Sequence, residues 1–271
     1  MPELPEVETT RRGIEPHILN RKIANVVLRE RKLRWPVPAK LPANLVGNSV
    51  QSVKRRAKYL LIDMGNGTLM IHLGMSGSLR IVPKSALPQK HDHADFQFDN
   101  DKILRYRDPR KFGCILWIAE DLDQHPLLSK LGPEPLSDEF DSDYLFALSR
   151  KRKAPIKTFI MDGHMVVGVG NIYANEALFR AGIRPTREAG SLSKVKTRLL
   201  VSTIKQVLAE AIQVGGTTLR DFIGGDGEPG YFKQSLAVYG RAGLPCVKCG
   251  GILKEIRQGQ RSTVYCGKCQ R

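Results

Sequence analysis

The chain opens with Pro2-Glu3-Leu4-Pro5-Glu6-Val7-Glu8-Thr9, an acidic stretch with two prolines directly after the initiator methionine. Proline and acidic residues favour the first turn of a helix, so we predict a helix over residues 3–19. Initiator methionine is normally trimmed before proline, which would leave Pro2 with a free secondary amine. An α-amino group has a pKa near ~8, so part of it is uncharged and nucleophilic at neutral pH. Glu3 would lie beside this amine as an acid, so the stretch predicts either a helix start alone or a reactive terminus.

After this helix the hydrophobic pattern changes to short segments rich in valine, isoleucine, leucine and aromatic residues. Turn residues separate the segments, notably Gly65-Asn66-Gly67 and Asp99-Asn100-Asp101, as in hairpins. We predict strands over residues 23–29, 51–57, 59–64, 68–73, 78–82, 94–99, 102–107 and 113–118. The first half of the chain is therefore predicted to be an antiparallel β-sandwich that carries the N-terminal helix.

The second half has a helical period. Residues 120–135, with Gly132-Pro133-Glu134-Pro135, interrupt the strand pattern and predict a linker. The clearest helix is predicted from Leu192 to Val214, where apolar residues recur every three or four positions and Gly215-Gly216 ends the run. Further helices are predicted over residues 143–151, 155–162 and 171–181. The glycine-rich residues 224–230 are typical of either a mobile loop or a static cluster of turns.

The composition predicts a polyanionic partner. Lysine and arginine number 43 against 27 aspartate and glutamate, a formal net charge of +16. This excess is compatible with DNA, RNA or an anionic membrane surface. The sequence contains neither a secretory apolar core near its N-terminus nor a run approaching ~18 apolar residues, so we predict a cytoplasmic protein that does not insert into membranes.

Four of the five cysteines lie near the C-terminus, as Cys246-x2-Cys249-x16-Cys266-x2-Cys269. Two C-x-x-C pairs at this separation predict one tetrahedral, structural Zn²⁺ site. Because all four ligands are cysteines, no coordination position remains open for catalysis. Cys114, inside an apolar run, is predicted to be an inert core thiol.

The order of the motifs resembles that of the bacterial formamidopyrimidine-DNA glycosylases, which remove oxidised purines. Besides the opening stretch and the cysteine finger, the matching motifs are Arg55-Arg56-Ala57-Lys58-Tyr59-Leu60, His72-Leu73-Gly74-Met75-Ser76-Gly77, Lys90-His91-Asp92-His93, Asp108-Pro109-Arg110-Lys111-Phe112-Gly113 and Gly168-Val169-Gly170-Asn171-Ile172-Tyr173. The resemblance covers nearly the whole chain.

The resemblance implies an α+β protein with three parts: a catalytic β-sandwich domain (1–133), a helical DNA-binding domain with a helix–two-turn–helix motif (134–243) and a zinc β-hairpin finger (244–271). DNA would lie in the cleft between the first two. The implied activity is base-excision repair of 8-oxoguanine and formamidopyrimidines in duplex DNA, followed by β,δ-elimination at the abasic site through a Schiff base. The implied partner is double-stranded DNA with oxidised purines or abasic sites, bound by a monomer that is nucleoid-associated when it acts.

The same resemblance assigns roles to individual residues. Pro2 would attack the anomeric carbon, Glu3 would protonate the sugar ring oxygen, and Glu6 would support them. Lys58 would contact the damaged nucleoside and a phosphate. The three residues that would fill the space left by the extruded nucleotide are Met75, Arg110 and Phe112. The residues that would hold the DNA backbone are His91, Lys157, Asn171 and Arg261. Arg261 would lie at the finger tip and would also belong to the catalytic residues.

Two other functions fit parts of the sequence. An oxidised-pyrimidine glycosylase of the endonuclease VIII type resembles P-E-G-P-E at its start and lacks D-P-R-x-F-G, whereas this chain has Leu4 and the Arg110/Phe112 pair. A non-catalytic protein that binds distorted DNA need not carry Pro2, Glu3 and Lys58 together. The sequence therefore favours the purine-specific enzyme.

Overall fold

The computed structural model describes residues 2–218 and 236–271, so the predicted loop at 224–230 lies outside the described residues. The described chain forms two compact units. One contains residues 2–129 and 212–218, and the other contains residues 130–211 and 236–271. The division into three domains, with boundaries after residues 133 and 243, remains a prediction.

The first unit is a sandwich of two four-stranded antiparallel sheets, as predicted. Its strands are β1 (Ile23–Leu28), β2 (Ser52–Arg56), β3 (Tyr59–Asp63), β4 (Thr68–His72), β5 (Ser78–Pro83), β6 (Asp92–Phe98), β7 (Lys102–Arg107) and β8 (Cys114–Ile118). One sheet has the order β1-β6-β7-β5 and the other β2-β3-β4-β8. Each strand begins and ends within two residues of its predicted bounds, because alternation and turn residues are local signals.

The N-terminal helix α1 (Leu4–Ile18) packs against β2 and β5, which are edge strands of different sheets. It buries Val7, Ile14 and Ile18 in the sandwich core. These residues are spaced by seven and four positions and so share one helix face. The helix thus covers two strand edges and fixes its own N-terminus on the sandwich. A short helix, α2 (Leu41–Leu45), was not predicted, because five residues are too few to display a helical period.

The second unit contains α3 (Ser142–Ser149), α4 (Ile156–Ile160), α5 (Asn171–Arg180) and α6 (Lys194–Thr218), followed by the hairpin β9 (Lys254–Gln258) and β10 (Arg261–Tyr265). The predicted end of α6 was wrong, because the helix continues through Gly215-Gly216 to Thr218. Glycine weakens a helix by about 1 kcal/mol relative to alanine but does not by itself end one.

The predicted linker contains a 3₁₀ turn, Leu122–Gln124, with Asp121 as its cap. Within the described part of the chain, no helix is both long and apolar enough to cross a bilayer. Cys114 is buried in β8, and burial raises the pKa of its thiol to about 11. The thiol therefore stays protonated at neutral pH, as predicted for an inert core residue.

Candidate active site and nucleic-acid interface

The amino terminus is built around the first turn of α1. Pro2 precedes the helix, and Glu3 is its N-cap, with only 2% of the residue exposed. Glu3 and Glu6 form a capping box, in which the Glu3 carboxylate accepts a hydrogen bond from the Glu6 N–H and the Glu6 carboxylate accepts one from the Glu3 N–H at 2.8 Å. The reciprocal bonds hold an acid directly beside Pro2. The capping box is a physical means for the supporting role that is predicted for Glu6.

Lys58 lies in the two-residue turn between β2 and β3, where Arg56 pairs with Tyr59. The turn requires a positive φ of 53° at Ala57. Arg55 stabilises this conformation by donating a hydrogen bond to the Ala57 carbonyl at 2.9 Å. Its guanidinium also pairs at 3.2 Å with Glu8 of α1. The helix that carries Pro2 and Glu3 is thus connected through one ion pair to the turn that carries Lys58.

His72, at the end of β4, belongs to one of the motifs, but the sequence predicts no role for it. Its Nδ1 accepts a hydrogen bond from the Gly74 N–H at 3.0 Å, and its ring lies 4.9 Å from that of Tyr59. Burial, followed by the positive charges of Lys58 and Arg34, lowers the pKa of His72 to about 4. The imidazole is therefore neutral at pH 7 and lies within electrostatic range of Lys58. The sequence signal that could have indicated a role for His72 is a polar residue at the end of an apolar strand, which pairs with the strand that follows the Lys58 turn.

Met75, Arg110 and Phe112 lie on two adjacent turns of the first unit. Met75 and Phe112 are large apolar side chains that remain 39% and 42% exposed. The Arg110 guanidinium carbon lies 4.7 Å from the centre of the Phe112 ring, a cation–π distance. Exposed apolar side chains beside a stacked arginine are available to contact a partner rather than to fill the core.

His91 immediately precedes β6 and belongs to the same part of the first unit. Its φ is 74°, and its carbonyl accepts a hydrogen bond from the Asp108 N–H at 3.1 Å. Partial burial and the neighbouring cations, Lys90 first among them, lower the pKa of His91. The lowered pKa favours the neutral ring, and His91 stays a candidate hydrogen-bond partner for a phosphate.

In the second unit, the predicted backbone-binding residues surround the N-terminus of α5. Gly170 is the N-cap and Asn171 the first helical residue, so the positive end of the helix dipole lies there. Asn171 donates to the Ser262 carbonyl at 3.0 Å. The adjacent Arg261 is exposed and follows the tight turn at Gly259 and Gln260, which have φ of 53° and 60°. Arg261 therefore lies at the finger tip, beside Asn171.

Lys157 is enclosed in this structure, and its role as a DNA backbone contact stays a prediction. It is only 1% exposed, and its Nζ donates to Asn171 Oδ1 at 2.6 Å, Thr263 Oγ1 at 2.6 Å and the Ser262 carbonyl at 3.0 Å. The ammonium is thus enclosed between α5 and β10 and is not accessible to a phosphate in this structure. The exposed cations of this segment precede it, at Lys151, Arg152 and Lys153.

The four C-terminal cysteines form one cluster. All four Sγ atoms lie within 4.8 Å of one another, with 3.5 Å between Cys249 and Cys266 and 3.9 Å between Cys246 and Cys269. Tetrahedral Zn²⁺ with Zn–S bonds of about 2.3 Å needs S···S distances near ~3.8 Å, so this donor set fits one structural zinc ion. The cluster closes the end of the finger opposite Arg261.

These features define a class of protein: a DNA-modifying enzyme with a buried acid at the start of its first helix, exposed apolar side chains beside a stacked arginine, and a zinc finger. Sequence models match the Formamidopyrimidine-DNA glycosylase N-terminal domain at residues 1–115, the Formamidopyrimidine-DNA glycosylase H2TH domain at 131–223 and the Zinc finger found in FPG and IleRS at 243–271. The formamidopyrimidine-DNA glycosylase of Marinomonas sp. is 60% identical over 271 residues, covering 100% of both chains.

Two solved structures of the Lactococcus lactis formamidopyrimidine-DNA glycosylase are also similar. The protein bound to DNA with an abasic site has a TM-score of 0.88 and 34% identity, covering 100% of both chains. The complex with FAPY-dG DNA has a TM-score of 0.89 and 34% identity, covering 99% of this chain and 100% of that one. The chain belongs to the formamidopyrimidine-DNA glycosylase family, which confirms the predicted fold class and enzyme class. The endonuclease VIII type and the non-catalytic binder are correspondingly disfavoured.

Proposed function

We propose that this protein excises oxidised purines, 8-oxoguanine and formamidopyrimidines, from duplex DNA and then cleaves the strand at the abasic site. The observation that carries the proposal is the buried N-cap carboxylate of Glu3 next to Pro2. Such a pair supplies a nucleophile and a proton donor within one helix turn. The L. lactis relatives were solved with abasic-site DNA and with FAPY-dG DNA, the two kinds of substrate that this reaction requires.

The proposed chemistry begins when the Pro2 nitrogen attacks C1′ of the damaged nucleotide and the N-glycosidic bond breaks. The base leaves with the bonding electrons and takes up a proton, which balances the proton that the Pro2 nitrogen loses. Glu3 then protonates the ring oxygen as the C1′–O4′ bond opens, which produces an iminium between Pro2 and C1′. This cation makes the C2′ proton acidic, so the 3′ phosphate leaves by β-elimination and the 5′ phosphate follows by δ-elimination. A secondary amine suits these steps because its iminium is positively charged without protonation.

A nucleotide inside a duplex must leave the stack before an amine can reach C1′, at a cost of a few kcal/mol. We propose that Met75 and Arg110 occupy the vacated space and that Phe112 wedges beside the opposite base. Arg110 can donate to the pairing edge of the orphaned base. Lys58 would contact the extruded nucleoside and the adjacent phosphate through its ammonium.

Backbone binding would come from the remaining polar residues. We propose phosphate contacts for His91, the N-terminus of α5 at Asn171, and Arg261. Lys157 would act indirectly, because its enclosed ammonium holds Asn171 and the finger strand together. One zinc ion would keep the finger folded, with Cys246, Cys249, Cys266 and Cys269 as its ligands. We also propose that the protein acts as a monomer in the cytoplasm, associated with the nucleoid.

Borohydride trapping tests the proposed function. Protein with a mature Pro2 should be cross-linked to a duplex that contains 8-oxoguanine, and peptide mapping should place the adduct on the N-terminal peptide. A matched form that retains Met1, with the same internal sequence, should yield no adduct because its Pro2 nitrogen is an amide. Undamaged duplex is the substrate control. An adduct on an internal lysine peptide, or equal trapping of both forms, would contradict the assignment of Pro2.

A further inference from the structure

We propose that Asp108 and Ser76 are positioning residues that set the spacing between Met75 and the Arg110/Phe112 pair, and thereby the selectivity for the base opposite the lesion. This inference rests on the proposed function. Both residues lie within the motifs, but the sequence predicts no functional role for either. Their contacts connect the two turns that carry the exposed wedge residues.

Asp108 is a fully buried carboxylate, 0% exposed, at the start of the turn that carries Arg110. Its Oδ1 accepts from the Ser76 hydroxyl at 2.7 Å and from the Arg110 N–H at 3.3 Å. Its Oδ2 accepts from the Gly113 N–H at 2.9 Å and from the Tyr106 hydroxyl at 3.2 Å. Four donors therefore converge on one side chain, three from residues 106–113 and one, Ser76, from the other turn. A buried carboxylate without such partners would be strongly unfavourable.

Ser76 connects the other turn to this acceptor. It follows Met75 directly, and its hydroxyl donates to Asp108 while its oxygen accepts from the Arg110 N–H at 3.1 Å. One hydroxyl thus contacts both the carboxylate and the backbone of the residue proposed to read the orphaned base. Moving the Met75 turn relative to Arg110 requires breaking these hydrogen bonds.

The backbones of the two turns are also in direct contact. Gly74 has a φ of +62°, and a Cβ placed on it would lie 2.5 Å from the Gly113 nitrogen and from the Phe112 carbonyl carbon. A Cβ on Gly113 would lie 2.0 Å from the Tyr106 hydroxyl and 2.3 Å from the His72 carbonyl oxygen. The turns can approach this closely only because glycine occupies both positions. The close backbone contact and the hydrogen bonds of Ser76 and Asp108 together leave Met75 and Phe112 little freedom to move relative to each other.

This arrangement has a consequence for selectivity. A side chain distinguishes bases by hydrogen bonds only if its position is fixed to within a few tenths of an ångström, since a loosely held arginine can donate to several partners. The Arg110 backbone N–H is held by both Ser76 and Asp108. Loss of the Ser76 hydroxyl should therefore weaken discrimination between opposite bases more than it weakens DNA binding.

The test measures single-turnover excision of 8-oxoguanine opposite cytosine and opposite adenine, and uses the ratio of the two rates. In Ser76→Ala we expect this ratio to fall by about threefold to tenfold, the effect of losing a hydrogen bond of ~1 kcal/mol. Ser76→Thr keeps a hydroxyl and should restore the ratio. Ser78→Ala is the matched control, because Ser78 lies two residues further on and forms no hydrogen bond with Asp108 in this structure. Arg110→Ala gives the lower limit of the ratio.

Asp108→Asn is an independent variant. Its amide nitrogen would replace one acceptor oxygen and oppose the donors at Gly113 or at Ser76, so the ratio should fall here as well. The inference is overturned if the ratio is unchanged in both Ser76→Ala and Asp108→Asn, if Ser76→Thr is as impaired as Ser76→Ala, or if excision slows equally opposite both bases. If the wild-type protein excises 8-oxoguanine opposite neither base, the proposed function itself is wrong, which is a different result.

Discussion

Replacing Lys157 with methionine separates a buried positioning residue from a direct phosphate contact. Methionine has a similar length and no charge, so Lys157→Met leaves no large cavity but removes the three hydrogen bonds that the ammonium donates to described residues. Their acceptors are Asn171 Oδ1, Thr263 Oγ1 and the Ser262 carbonyl, at 2.6, 2.6 and 3.0 Å. If the ammonium holds α5 against the finger strand, the change should affect the stability of this contact first and DNA affinity second.

The magnitude follows from the number and type of these bonds. Hydrogen bonds that involve a charged group contribute roughly 1.5–3 kcal/mol each, but desolvation of the buried lysine offsets part of this sum. Asn171 also keeps its own bond to Ser262 at 3.0 Å. We therefore expect Lys157→Met to destabilise the second unit by about 2–4 kcal/mol, the range of a broken buried polar network.

Thermal unfolding and DNA binding at several salt concentrations distinguish the two roles. A residue that contacts one phosphate directly contributes roughly 0.9 to the slope of log affinity against log salt. Arg261→Ala should reduce the slope by about one, whereas Lys157→Met should weaken affinity with little change of slope. Lys153→Met is the matched control, because this lysine is exposed four residues earlier in the same segment. A slope reduced by about one in Lys157→Met, with unchanged thermal stability, would refute the positioning role.

Three further predictions concern the other parts of the site. The pKa of His72, about 4, lies below the usual value near 6.5, so the unfolded chain binds more protons between these values and stability falls as pH falls from about 6.5 to 4. His72→Asn keeps a hydrogen-bond acceptor for the Gly74 N–H. When unfolding is measured at several pH values, this variant should lose up to about 2–3 kcal/mol less stability over that pH range. Cys249→Ser should lose duplex affinity before secondary structure, since structural zinc contributes ~10–16 kcal/mol in finger peptides; normal affinity of zinc-free protein would contradict this. Glu8→Gln removes the charged partner of Arg55, which holds the turn that carries Lys58, so it should reduce the free energy of unfolding by about 1–3 kcal/mol and slow excision. An unchanged excision rate would show that Glu8 does not affect Lys58.

The sequence predicts features whose causes are local. The strands were predicted within two residues because alternation and turn residues act over a few positions. The zinc cluster was predicted because two short knuckles fix most of its geometry. In contrast, the burial of Lys157 depends on Ser262 and Thr263, more than a hundred positions away. Its own neighbourhood, Ile156 to Ile160, shows only a short apolar helix, so no local signal distinguishes an enclosed lysine from an exposed one.

The role of Asp108 was missed for a related reason. Within the motif it reads as the first residue of a turn, a position where aspartate is common. Only the folded chain brings Ser76 to its Oδ1, because β5, which follows Ser76, and β7, which precedes Asp108, are neighbours in one sheet. The proposed wedge residues could be named from the sequence only through the family resemblance of the motifs that contain them. The groups that hold their turns could not.

The net charge of +16 is a poor measure of how many cations can bind DNA. Several arginines are already engaged within the first unit. Arg105 forms two bonds of 2.8 Å with the buried Asp95, and Arg29 also pairs with Asp95. These pairs stabilise the sheet. A phosphate could bind these arginines only by displacing the carboxylate of Asp95. The salt dependence of binding should therefore be set by exposed cations such as Arg261 and Lys153, and a slope far smaller than the net charge is the expected outcome. A slope approaching the net charge would contradict this expectation.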